Sequence, residues 1–163
     1  MPVVRPHWRA MLLLFVSLTL GVTIWRINAA LDGLWKWSSD EVARVTSPSG
    51  RFDAVLMETN GGATTSYGYE IHVLPSGADV NGSQPGASLY GAVRSQSAYG
   101  LNLRWVGTHL VRAEYLTAQM EKNLGPVQMG PGGAVAIELR SGVADPHALP
   151  GGMLRNKHDR PAR

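Results

Sequence analysis

The stretch Ser47–Pro75 constrains the fold more than any other part of the chain. It reads S-P-S-G-R-F-D-A-V-L-M-E-T-N, then G-G-A-T-T-S, then Y-G-Y-E-I-H-V-L-P. Within it Tyr67, Tyr69, Ile71 and Val73 alternate with Ser66, Gly68, Glu70 and His72. A period of two puts the first set on one face of a strand and the second on the other. Upstream, Ser47-Pro48-Ser49-Gly50 is a turn: proline presets φ and glycine accepts a positive one. Arg51–Thr59 then reads as a strand that is apolar on both faces. Phe52, Ala54 and Leu56 lie on one side and Val55 and Met57 on the other. Such a strand belongs in the middle of a sheet, covered on both sides. The pattern is strand, glycine-threonine loop, strand.

The same reading extends outward. Glu41–Thr46 is a first strand and Tyr67–Leu74 a third. Residues 76–88, rich in Gly, Ser, Asp, Asn and Pro, form a long mobile loop. Leu89–Arg94 is a fourth strand. Leu101, Leu103 and Trp105 alternate with polar residues, as do Val111, Ala113 and Tyr115, giving a hairpin around Val106-Gly107-Thr108. A three-residue connection keeps both apolar sets on one face, and register follows the buried face. Leu116–Leu124 reads as one or two helical turns, Gly125–Gly133 as a loop and Ala134–Arg140 as a last strand. The fold class is therefore mostly β: a small antiparallel meander of five to seven short strands, sandwich- or blade-like, after one amino-terminal transmembrane helix. The 19 glycines and 10 prolines fit short strands and many turns.

An uncharged run from Ala10 to Trp25 precedes this domain, with Arg5 and Arg9 before it and Arg26 closing it. It is short for a spanning helix, and Ile27, Ala29, Ala30 and Leu31 extend it if Arg26 snorkels. Trp8 and Trp25 fall about 25 Å apart along a helix, near the separation of two membrane interfaces where tryptophan concentrates. The expected organisation is a membrane anchor or signal segment over 1–31, a juxtamembrane segment over 32–40, an exported β domain over 41–142 and a disordered basic tail over 143–163. Met11–Trp25 meets the lipid bilayer. The protein is placed in the inner membrane as a single-pass chain with its domain outside, or is secreted after signal cleavage. A buried core helix is the third reading of this segment. Trp35-Lys36-Trp37 either rests on the membrane surface or packs under the domain.

The net charge of +3 belongs to the ends. Arg5, Arg9 and Arg26 lie in the first segment, and Arg155, Lys157, Arg160 and Arg163 in the last. The stretch between is net acidic, which speaks against nucleic-acid binding. There is no cysteine, so disulfides, thiolate metal sites and a cysteine nucleophile are excluded.

Two resemblances attach to these residues. V-T-S-P-S-G-R-F-D-A-V-L resembles the opening of a TolB-type propeller blade, with Ser49 in place of its aspartate, but no repeat of 40–50 residues follows. Over residues 46–140, S-P-S-G-R-F-D-A-V, then G-G-A-T-T-S-Y, then L-R-W and L-V-R-A-E-Y, the chain is similar to a family of small bacterial envelope proteins with no assigned activity. Gly61 stands where many members have cysteine. The resemblance implies an exported β domain and supplies no catalytic residues.

The loop Asn60, Gly61, Gly62, Thr64, Thr65 and Ser66 is the candidate ligand- or partner-binding site. Its N–H groups suit an anion, or its hydroxyls satisfy its own backbone. It lacks the Gly-Lys-Ser/Thr ending of a P-loop, and Thr64-Thr65-Ser66-Tyr67-Gly68 misses the nucleophile-elbow pattern at Thr64. His72 and His109 come from different strands and make no metal signature. No catalytic residue, cofactor or metal is assigned. The functional expectation is a membrane-anchored binding or interaction module with an envelope protein as partner. The alternative is a small hydrolase or ligand-binding enzyme subunit using the Gly61–Ser66 loop. That alternative requires Glu58, Thr65 and His72 to converge in one concave pocket.

Overall fold

The computed structural model describes residues 8–34, 37–62, 64–95, 98–149 and 151–159. The chain divides into two compact units, Met1–Lys36 and Trp37–Arg163. The first consists of helix α1, Trp8–Leu34, 27 residues and so about 40 Å long. Its apolar residues sit all round the helix and form no single stripe. Met11, Leu12, Leu13, Leu14 and Phe15 are all exposed, and so is every described side chain as far as Ile27. Among the described residues no helix is long and apolar enough to cross a membrane.

The second unit is mostly β. Strands β1 (Ser38–Thr46), β2 (Phe52–Asn60), β3 (Gly68–Pro75), β4 (Ala87–Tyr90) and β9 (Met120–Asn123) form an antiparallel sheet in the order β1-β2-β3-β4-β9. A second sheet has the order β10-β11-β8-β7, from Val127–Gln128, Ala134–Arg140, Leu110–Glu114 and Asn102–Trp105. Two short strands, β5 (Val93–Ser95) and β6 (Ala98–Tyr99), pair with each other. The β8–β11 pair is parallel. The chain between them leaves to give β9 to the first sheet and returns through β10, so the fold is not a pure meander.

One core lies between the two main sheets. Leu56, Tyr69, Ile71 and Leu89 from the first meet Val111, Ala113, Val135 and Ile137 from the second. The Leu, Ile and Val side chains among them each contribute about 1.5–3 kcal/mol by leaving water. Trp105 on β7 donates its Nε1–H to the carbonyl of Val45 on β1 at 2.7 Å, linking the sheets at one edge. As expected, β2 is central and its outward residues Asp53 and Val55 are buried too.

What covers that outward face is the loop 76–86, expected to be mobile. Gly77 N–H donates to Asp53, Ser83 bonds to His72, Arg44 donates to the carbonyl of Ala78, and Gly86 N–H donates to the carbonyl of Ile71. The loop is pinned because β2 and β3 leave polar side chains underneath it to be paired. Strand β4 follows directly, two residues earlier than the expected fourth strand.

Three other expectations change. The hairpin keeps Trp105 and Leu103 on the face of Val111 and Ala113, as its apolar pattern requires, and Trp105 pairs with Val111. Val106 N–H reaches the carbonyl of Leu110, so the three-residue connection is Gly107–His109, one residue later than expected. Leu116–Leu124 holds strand β9 and no helix, because its backbone pairs with the open edge of β4. All four β9 side chains are exposed, so no apolar stripe was there to hold a helix down. The tail expected to be disordered carries helix α2, Met153–Asp159. Met153 and Leu154 pack on the core, and Asn156 is buried.

Candidate functional site

The Asn60–Ser66 loop spends its polar groups on itself and its neighbours. Asn60 Oδ1 accepts the N–H of Gly62 at 2.9 Å. The N–H and hydroxyl of Thr65 both donate to the carbonyl of Gly62. Ser66 N–H donates to the Tyr90 hydroxyl at 2.9 Å, and Gln119 Nε2 donates to Ser66 Oγ at 3.3 Å. The N–H groups of Gly62, Thr65 and Ser66 are therefore already taken. Glycine is required at Gly62 by its φ of 103°. At Gly61 a Cβ would stand 2.9 Å from Thr65 Oγ1. Trp37, exposed, lies beside Gly61; Trp35 and Lys36 lie outside the described residues, as does Ala63 of the loop.

Glu58, Thr65 and His72 do not converge. Glu58 pairs with Tyr69, and Val55 pairs with His72. By the alternation of strand side chains, Glu58 faces the core side of the sheet and His72 the opposite side. Thr65 is exposed on the loop. The sheet itself separates the groups that the hydrolase alternative brings together.

Glu58 has a structural task. It is 3% exposed. Its Oε2 accepts from the Tyr69 hydroxyl and from Met153 N–H, and its Oε1 from Leu154 N–H. A buried carboxylate thus satisfies the orphan donors at the start of α2. Gly152 fits there because a Cβ would lie 2.7 Å from the Tyr67 ring and 2.8 Å from Glu58 Oε1.

His72 stands at a different place. The outward face of β1, β2 and β3 and the loop 79–83 line an open cavity of about 440 Å³. It is lined by Glu41, Met57, Glu70, His72, Asp79 and Ser83, among others. Ser83 Oγ donates to the carbonyl of Val80 at 2.7 Å. A carbonyl only accepts, so the single hydroxyl hydrogen is spent there. His72 Nδ1, 2.7 Å from the same oxygen, must then be the donor. Nε2 is buried without a hydrogen-bond partner. Glu70 Oε2 lies 3.6 Å from it, beyond hydrogen-bond reach. Burial holds the ring below its ordinary pKa, against the opposing pull of Glu70. At neutral pH Nε2 is therefore a bare acceptor.

The neighbouring charges are paired. Arg44 bonds Glu41 at 2.8 Å and Asp53 at 3.0 Å. That bond to Arg44 holds Glu41 below the usual carboxylate range. Burial pushes Asp53 up, but the Gly77 N–H, the Thr46 hydroxyl and Arg44 outweigh it and leave it lowered. Arg104 and Glu114 pair at 2.9 Å, and Arg112 and Glu138 at 2.7 Å, as cross-strand ion pairs of the second sheet. His109 meets Thr108 and the carbonyl of Gly132. Among the described residues no group of three or more His, Asp or Glu could hold a metal.

The cavity residues Glu41, Asp79 and Ser83 escaped the sequence reading, although Glu70 and His72 were placed on one polar strand face. The turn-forming run Asp79-Val80-Asn81-Gly82 was the available signal; Asp79 Oδ1 accepts the Asn81 N–H there. A scan of protein-family models, a search of curated proteins and a search of solved structures each find no match to this chain.

Proposed function

We propose that the chain is a membrane-tethered, extracytoplasmic β domain that works as a binding module for another envelope component. The observation that carries this reading is α1, whose apolar side chains from Met11 to Ile27 are exposed on every side. A helix apolar all round has no polar face to lie on water or on a lipid surface. Its few hydroxyls are already satisfied. Ser17 bonds the carbonyl of Leu14, Thr19 that of Val16 and Thr23 that of Thr19. Hydrocarbon demands that kind of internal pairing. Met11–Trp25 alone is short for a span, and Arg26 with its stem along the helix supplies length. Arg5 and Arg9 before the run favour the amino-terminus inside.

Binding is preferred to catalysis because Glu58 and His72 face opposite sides of the sheet and the Asn60–Ser66 loop bonds itself. Alkaline washing of membranes from cells expressing the full chain tests the tether. The chain stays in the pellet at its full mass. Release into the supernatant, or a shortened chain beginning near Ala30, contradicts it.

A further inference from the structure

We propose that the cavity between the outward face of β1–β3 and the loop 79–83 binds an organic cation, an ammonium or guanidinium group, through Glu70, Asp79 and the Nε2 of His72. This names the ligand class of the binding module proposed above and rests on that reading. Among the described residues the charged side chains lining the cavity are Glu41, Glu70 and Asp79, with no Lys or Arg. Glu41 is engaged by Arg44, and Asp79 Oδ1 accepts the Asn81 N–H, which leaves Glu70 and Asp79 Oδ2 for a ligand. His72 adds a third acceptor. Its donor, Nδ1–H, is committed to Ser83, and its Nε2 lone pair is 3.6 Å from Glu70.

A buried acceptor without a partner is uncommon in a folded protein and asks for an explanation. Here Glu70 and Asp79 add carboxylate acceptors beside it, and a donor-rich ligand satisfies them together. An anion is repelled, and a metal ion lacks converging ligands among the described residues. The side chain of Glu70 is 43% exposed while that of His72 is 4% exposed. Glu70 is thus the solvent-facing member of the pair and His72 the buried one. Met57 supplies an apolar wall for the ligand's carbon chain.

The test is a titration of the full chain in detergent micelles, followed by the imidazole resonances of His72 and the amides of 79–83. The probes are putrescine, acetyl-lysine methylamide, acetyl-arginine methylamide and the neutral acetyl-norleucine methylamide. At least one cation gives saturable shifts, and norleucine gives none. Glu70→Gln, at a side chain exposed enough to tolerate the change, weakens the binding about tenfold, the loss expected for one charge-assisted hydrogen bond. Saturation by putrescine assigns a free amine, and saturation only by the blocked amino acids assigns a side chain of a partner protein. No saturable shift with any cation, equal binding of norleucine, or indifference to Glu70→Gln overturns the proposal. A chain that remains in the alkaline pellet yet binds no cation fails here alone and leaves the tether standing.

Discussion

Glu58 Oε1 on β2 accepts the backbone N–H of Leu154 at 3.0 Å, across 96 positions of sequence. The same carboxylate holds Met153 N–H and the Tyr69 hydroxyl. The carboxyl-terminal helix is thereby tied to the middle of the first sheet. Glu58→Ala removes the acceptor of the Leu154 N–H, at a cost of about 1–3 kcal/mol for a donor left unsatisfied. Urea unfolding of the variant shifts to lower denaturant, and amides 153–159 lose their hydrogen-exchange protection first. Unchanged protection in α2 would show that the helix is held by something else.

That tie also marks the limit of what the sequence discloses. The strand periodicity of Tyr67–Leu74 and the two apolar faces of Phe52–Met57 place β2 and β3 correctly, because burial on a sheet leaves a period of two. Ala134–Arg140 is read for the same reason. The tail is misread because its order comes from one distant carboxylate and from Met153 and Leu154 on the core, not from a local pattern. Loop 76–86 is misread likewise: its Gly, Ser and Asp content looks like mobility until Asp53 and His72 are known to lie beneath it. The cavity inherits this, since Asp79 and Ser83 reach it only through that loop. Strand β9 forms by pairing to an edge, and edge pairing has no signature in exposed residues such as Glu121 and Lys122.

His72 makes stability depend on pH in a defined window. Its folded pKa is lowered, mainly by burial, from an ordinary value of 6.5. Between the two values the unfolded chain binds a proton that the folded chain does not. Stability is full above pH 6.5 and falls as pH drops through the window beneath it. Glu41 and Asp53, also lowered, add a separate loss only below their ordinary values of 4.5 and 3.8. Urea midpoints measured from pH 8 to pH 5 carry the His72 slope, and His72→Gln abolishes it. A slope that survives the substitution would assign the effect to another group.

The loop at Gly61 is packed against its own threonine. Gly61→Ala places a Cβ 2.9 Å from Thr65 Oγ1 and costs about 1 kcal/mol, a mild overpacking. Thr65→Ala in the same chain removes the obstacle. A double-mutant cycle on thermal unfolding shows the two changes coupled, with the pair less destabilised than the sum. Simple additivity would mean that the loop relaxes freely and that its glycine is not demanded by packing.

Trp105 joins the two sheets through its bond to the carbonyl of Val45. Trp105→Phe keeps an aromatic ring in place and loses the donor, which costs about 1–3 kcal/mol if the carbonyl is left buried and about 1 kcal/mol if water replaces the indole. Hydrogen exchange at the amides of β1 and of β7, the facing edges of the two sheets, reports the edge opening. A variant as stable as the parent would show that the sheets are held by the apolar core alone.

The tethered, outward-facing arrangement has one direct measurement. The chain contains no cysteine, and Thr64 is exposed on the loop between β2 and β3. Thr64→Cys therefore gives a single thiol on the β domain. Spheroplasts of a bacterial host expressing this variant are treated with a membrane-impermeant maleimide before and after lysis, and their membranes are then washed at alkaline pH. Full labelling before lysis, on a chain that remains in the washed pellet, is the expected result. Labelling only after lysis, or a labelled chain in the supernatant, contradicts it.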